Sequence, residues 1–203
     1  AIEGVGDHTL LALVREWKNP DAVFRASSDE LIQRGCSSQL AHAIRRALDR
    51  DTCQRIEREL TTIERQQIDV RTYLDETYPS RLRMIPDPPP ILFISGTLTG
   101  SDELAVAVVG ARRATAAGKL ITEELGGGLA GAGFTIVSGL ARGVDAAAHR
   151  SALAVGGRTI AVLGCGINRT YPPEHERLRR EIEERGAVLS ELSLDAPPHS
   201  GHF

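Results

Sequence analysis

The chain has 203 residues, of which 41% are hydrophobic and 25% charged, ordinary proportions for a globular protein. That length suits one large domain or two small ones, and the composition excludes collagen-like, low-complexity and wholly disordered classes. The formal net charge of -3 provides no global positive field, so a polyanion partner must be held by a local cluster.

All but two of the 24 basic residues are arginine, lysine standing only at 18 and 119. The planar guanidinium fork fits phosphate and stacks on bases, although genome composition also enriches arginine. The apolar run Leu104 to Val109 is far short of the ~20 residues that cross a bilayer, so no membrane partner is expected. The opening Ala1 to Gly6 has neither the basic start nor the apolar stretch of a signal peptide, and the expected location is cytoplasmic. Cys36, Cys53 and Cys165 are odd in number and far apart, the pattern of buried reduced thiols rather than a disulfide framework or a zinc site.

Residues 1–70 read as a small all-helical domain. Apolar residues recur at helical spacing at Leu10, Leu11, Leu13 and Val14, then at Leu40, Ala43, Ile44, Ala47 and Leu48. Helix starts are expected at Asp7 or Thr9, at Asn19-Pro20, at Ser27 or Ser28, and at Ser37 or Ser38. A longer helix is expected over about Arg45 to Gln66. The segment Ile2-Glu3-Gly4-Val5-Gly6 has the hydrophobic-x-Gly-hydrophobic-Gly form of a helix-hairpin-helix, in which turn amides grip a phosphate; a plain glycine turn fits as well.

Residues 71–103 read as a connector with an edge strand. Tyr78-Pro79 and the prolines from Pro86 to Pro90 forbid helix, and Ile91 to Ile94 then forms a buried strand. From residue 104 to 203, apolar β-branched runs alternate with helical segments. Strands are expected at Ala105–Val109, Phe134–Val137, Thr159–Leu163 and Ala187–Leu189. Helices fall at Lys119–Ala132, Val144–Val155 and Pro173–Arg185. This is the pattern of right-handed β-α-β units and a Rossmann-like parallel sheet covered on both faces.

The chemistry concentrates at the strand ends. Three strands run into glycine, at Gly110, Gly139, and Gly164 with Gly166, where ligands of open α/β sheets bind and helix N-termini favour anions. Arg112, Arg113, Arg142, Arg169 and Arg177 lie in those loops or just after them. Gathered on one lip of the sheet, with no acidic side chains between them, they would give a near-neutral molecule a local positive groove. The strand end at Gly110-Ala111-Arg112-Arg113 lacks the second and third glycines of a dinucleotide-binding G-x-G-x-x-G, and no Walker-type phosphate loop is present, which lowers nicotinamide chemistry and ATP hydrolysis as readings. Asp145 and His149 stand four apart, on one helical face. An acid/base pair is conceivable, but with no nucleophile nearby a structural role is favoured: Asp145 bracing the glycine loop, His149 donating to a strand. No metal-ligand spacing occurs among the histidines, and no catalytic residue or cofactor is expected.

Several of these segments together resemble the DprA/Smf family. Residues 78–96, from Tyr78-Pro79 through Asp87 to Gly96, are similar to its Y-P-x-x-L…D-x-P-x-x-L-(F/Y)-x-x-G stretch. Ala107 to Arg112 resembles its V-G-(S/T/A)-R element. Ser138 to Asp145 with Ala148-His149 is similar to its S-G-x-A-x-G-(I/V)-D-x-x-A-H signature. Thr159 to Gly166, Tyr171-Pro172 and Leu189 to Glu191 follow the rest of the series in order.

The resemblance implies an extended Rossmann-like domain preceded by a small helical domain, of SAM or helix-hairpin-helix type. It implies a non-catalytic protein that binds single-stranded DNA, protects incoming strands in natural transformation and recombination, and loads the RecA recombinase. It also implies a homodimer in the full-length protein. By position Arg112 and Arg177 would contact DNA, with the Ser138-Gly139 loop lining the same pocket; the reading of the strand ends adds Gly110, Arg113, Arg142, Gly143, Gly164, Gly166 and Tyr171 to the expected DNA-binding residues. Sparse aromatics imply a phosphate-dominated contact with strong salt dependence. Ala111 stands where the family has serine, and His175 near where it often has asparagine. The family usually continues past the position of Phe203, so a Rossmann-like domain truncated at its C-terminus is expected. Two alternatives are a phosphoribohydrolase-like nucleotide-processing enzyme, whose P-G-G-x-G-T loop does not occur, and a non-catalytic anion-binding interaction module.

Overall fold

The structure, a computed structural model, describes residues 6–47 and 49–202. Residues 2–5 of the glycine motif, and Leu48, lie outside the described residues. Contacts divide the chain into two units, residues 1–67 with 71–91, and residues 68–70 with 92–203.

In the first unit, side-chain caps set the helix starts. The α1 helix, Asp7–Trp17, ends where Lys18 takes a left-handed conformation (φ 52°) and donates its amide to Val14 O. Asn19, Ser27 and Ser37 each accept a backbone amide, opening α2 (Pro20–Arg25), α3 (Ser28–Gln33) and α4 (Ser38–Arg46). The long helix expected over Arg45 to Gln66 is instead two helices. α4 stops at Arg46, and α5 runs Arg50–Gln66 behind Asp49, whose Oδ1 accepts the Thr52 amide at 2.7 Å. A carboxylate that captures the third amide beyond it begins a helix rather than continuing one. Leu13, Val23, Leu31, Ala41 and Ile44 form the core of this unit, with Trp17, Phe24 and Leu40 packed against it. Past α5, the short α6 (Ser80–Arg83) carries Arg83 over the rings of Tyr73 and Tyr78.

The sheet has six strands: β1 (Asp69–Thr72), β2 (Ile91–Gly96), β3 (Ala105–Ala107), β4 (Thr135–Ser138), β5 (Thr159–Val162) and β6 (Ala187–Ser190). Their spatial order is β1-β2-β6-β5-β4-β3. β3 to β6 are parallel, with Val106 beside Ile136, Val137 beside Ile160 and Ala161 beside Val188. β2 runs antiparallel to β6, pairing Phe93 with Ser190, so the sheet is mixed rather than wholly parallel. β3 is shorter than its apolar run: it ends at Ala107, and Val109 is 74% exposed.

The helices of the α/β half are α7 (Ala116–Gly131), α8 (Val144–Ala154) and α9 (Glu176–Arg185). α8 is buried along most of its length because its inward residues are small. Ala148 and Ala152 pack with Ala130 of α7 and Ile136 of β4. At the other end of the sheet, Asp102 accepts the Arg158 guanidinium through both oxygens (2.6 and 2.9 Å), the Thr135 hydroxyl and the Thr99 amide. Burial raises the Asp102 carboxyl pKa, but these donors outweigh it and hold the group below its ordinary value.

His149 of α8 is fully buried, its Nδ1 2.7 Å from Thr159 Oγ1 on β5. Because Thr159 Oγ1 donates to Ile136 O, the imidazole Nδ1–H is the donor to Thr159. Burial pushes the imidazole pKa down to about 3, and the neighbouring His175 acts in the same direction. The unfolded chain therefore takes up a proton below pH ~6.5 that the fold refuses. Stability falls with acid by up to ~1.4 kcal/mol per pH unit in that window. Urea unfolding from pH ~6.5 to ~4.5 should show this slope in the wild type. His149→Gln should flatten it; an unchanged slope in that variant would assign the proton elsewhere.

Candidate nucleic-acid interface

Three loops leave the carboxyl ends of β3, β4 and β5, and short-range contacts join the first two. The first, residues 108–115, ends where Thr115 caps α7 through its hydroxyl and the Gly118 amide. The second, residues 139–143, leads into α8. Ser138 at its root donates its hydroxyl to Val108 O at 2.6 Å, binding the second loop to the first.

The second loop is shaped from within by Asp145. This buried carboxylate accepts the amides of Gly139 (3.1 Å) and Ala141 (3.3 Å) through one oxygen. Between them Leu140 is held left-handed (φ 58°) with its side chain fully buried. Its carbonyl accepts His175 Nδ1–H at 2.8 Å. Gly143 has φ 80°, and a Cβ there would lie 2.2 Å from Ala111 O and 2.8 Å from the Arg112 carbonyl. Only glycine permits this approach, and it brings the residue after Arg142 against the backbone of Arg112. The Val144 amide closes the contact by donating to Ala111 O.

The third loop, residues 163–172, is anchored from below. Gly166 donates its amide to Ala196 O, and a Cβ there would meet Leu194 O at 2.3 Å. Arg179 of α9 reaches under this loop, donating to Arg169 O at 2.8 Å and Ile167 O at 2.5 Å while its Nε pairs with Glu183. Arg169 turns the same way, donating to Asp195 O at 2.7 Å. The Tyr171–Pro172 peptide is cis, and Tyr171 is 38% exposed.

Gly110, Arg112, Ser138, Gly139, Arg142 and Gly143 are therefore drawn together by the contacts between the first and second loops. Arg112 and Arg113 are exposed. Gly166 faces residues 193–196 instead. The amides of Gly139 and Gly166 are engaged inside the protein, so neither is the bare donor that a strand-end glycine suggests. The acid-free groove also needs correction. Arg142 Nε donates to Glu174 Oε1 at 2.5 Å, and Arg177, whose side chain is 93% exposed, pairs with Glu181 at 2.9 Å. The hydrogen bond from Arg142 is the main cause holding the Glu174 carboxyl below its ordinary range. Each carboxylate takes a cation left at the surface, for Arg177 by the i, i+4 spacing of a helix.

Glu174 and Arg179 went unnoticed in the sequence, and His175 stood out only as lying near a family asparagine. For Arg179 a signal existed: it follows Leu178 and precedes Ile182 on the buried side of α9. Among the described residues no group of three or more His, Cys, Asp or Glu could hold a metal ion.

The family model for DNA recombination-mediator protein A matches residues 69–203, the whole of the sheet and its loops. The chain belongs to that family. It is 44% identical over 133 residues to the Protein Smf of a Synechocystis strain, covering 64% of this chain and 33% of that protein. The solved DNA processing protein A of Streptococcus pneumoniae matches with a TM-score of 0.83 at 32% identity, over 100% of this chain and 68% of that one. The family protein from Helicobacter pylori, whose structure describes a single-stranded DNA binding mode, matches at 34% identity with a TM-score of 0.59. It covers 68% of this chain and 62% of that one. The chain spans about a quarter to a half of the length of the curated relatives it matches.

Replacing Asp145 with Ala should leave two loop amides without their acceptor, at a stability cost of roughly 2–4 kcal/mol. Hydrogen exchange at Gly139 and Ala141 is the direct readout: their protection should fall before that of β4 and β5.

Proposed function

We propose that this chain binds single-stranded DNA along the edge formed by its first two loops. One observation carries the reading: the seating of Gly143 on the Ala111–Arg112 backbone, which brings Arg112 and Arg142 onto adjacent backbone. A protein of net charge -3 can grip a phosphate chain only through such local concentration. Family membership and the single-strand binding of the Helicobacter pylori relative support it. Arg113, Tyr171, Arg177 and the glycines Gly110, Gly139, Gly143, Gly164 and Gly166 are proposed to complete the surface. The glycines serve by letting backbone approach the strand, with Ser138, Asp145 and His149 supporting it from beneath.

The role is non-catalytic. What supports this reading is that Asp145 is committed to two amides and His149 to Thr159, which takes this pair out of acid/base work. We extend the proposal to protection of incoming strands and delivery to the RecA recombinase, in the cytoplasm, by a homodimer of the longer protein. No helix among the described residues is long and apolar enough to cross a membrane.

Binding to labelled oligo-dT is the test. Arg112→Ala with Arg177→Ala should weaken affinity by ~10-fold or more, with unchanged circular dichroism and melting. It should also make the slope of log affinity against log salt shallower by roughly 1–2. Equal binding by wild type and double variant would remove this edge as the DNA site.

A further inference from the structure

We propose that Glu174 is a built-in competitor for the phosphate that Arg142 would hold, so that a strand is taken up at this position by exchange of carboxylate for phosphate. The proposal rests on the single-strand reading above and goes beyond it by assigning a regulatory role to an acidic residue of the edge.

The pair joins segments 32 residues apart: Arg142 just before α8 and Glu174 in the turn before α9. Both backbones are pinned beside the contact. On one side stand buried Leu140 and the seated Gly143; on the other, buried His175 donates to Leu140 O. The same turn therefore grips the same loop at two neighbouring points, one buried and one at the surface. The buried contact fixes the distance between the segments, and the surface one settles only where two side chains point.

The surface contact is built to be exchanged. The Arg142 and Glu174 side chains are 58% and 48% exposed, and the hydrogen bond runs through Nε. An exposed ion pair contributes little to stability, whereas a phosphate can take the guanidinium fork by two parallel bonds. Exchange needs side-chain rotation alone, with Leu140, Gly143 and His175 staying in place. While the strand is absent, Glu174 keeps Arg142 neutralised and oriented. The Arg177–Glu181 pair differs, since both partners sit on α9 and neither bridges two segments.

The experiment is a set of oligo-dT titrations at low salt with wild type, E174Q, R142A, the double variant E174Q/R142A, R112A, and E184Q as a one-charge control at an exposed residue of α9. E174Q should tighten binding about threefold, the factor that matches an exposed ion pair. R142A should weaken binding, and E174Q should add nothing in the R142A background. E184Q should bind as wild type. Unchanged or weaker binding by E174Q overturns the proposal. So does an equal gain with and without Arg142, which would mean long-range charge alone, or wild-type affinity in R142A. If R112A weakens binding while E174Q does not strengthen it, this proposal fails and the single-strand reading stands. A wild type that ignores the oligonucleotide overturns both.

Discussion

The Asp145 carboxylate does for the candidate edge what a keystone does for an arch. It sits buried in the first turn of α8, where the helix dipole favours its charge, and takes two amides from a loop of five residues. Those two bonds hold Leu140 left-handed, which sends its side chain into the core and its carbonyl toward His175. The positions of Arg142 and Gly143 follow from that turn, and so does the seating of Gly143 against the Arg112 loop. Ser138 repeats the tie one residue earlier. An edge that presents long, exposed arginine side chains is thus built on a tightly bonded backbone.

Charge is arranged on the same plan of strong internal ties and weak surface ones. Arg158 and Arg179 are half-buried and spend their donors on carbonyls and a carboxylate, as structural pins for the sheet end and the third loop. Arg142 and Arg177 are exposed and each meets one carboxylate. Two of the exposed arginines, Arg142 and Arg177, are thereby neutralised locally, and under the proposed single-strand reading a phosphate chain would displace their carboxylates.

Much of this architecture was legible in the chain. Apolar runs ending at glycine located β4 and β5, the short apolar run before Ser190 located β6, and Asn19, Ser27 and Ser37 marked helix starts because a side chain that caps amides acts locally. What stayed hidden depends on distance or direction. The run Ile91 to Ile94 says strand but carries no arrow, so its antiparallel pairing with β6 was not foreseen. Asp49 is a helix-compatible polar residue whose cap appears only once the chain turns. β1, a strand of four residues that begins two residues after a left-handed stop at Gln67, is too short to show a period. At the site, the strand-end glycines stood out, but not which of their amides the protein would use. The contact of Glu174 with Arg142 spans too much sequence for any local pattern to predict.

The scarcity of lysine has a practical side. Lys18 closes α1 and Lys119 is exposed in the first turn of α7, just past the Thr115 cap and the loop that carries Arg112 and Arg113. Acylating dyes and crosslinkers that seek primary amines find two side chains and spare every guanidinium. A fluorophore on Lys119 would sit beside the loop that carries Arg112 and Arg113 and leave their guanidinium groups unmodified, a placement from which the proposed strand binding can be read.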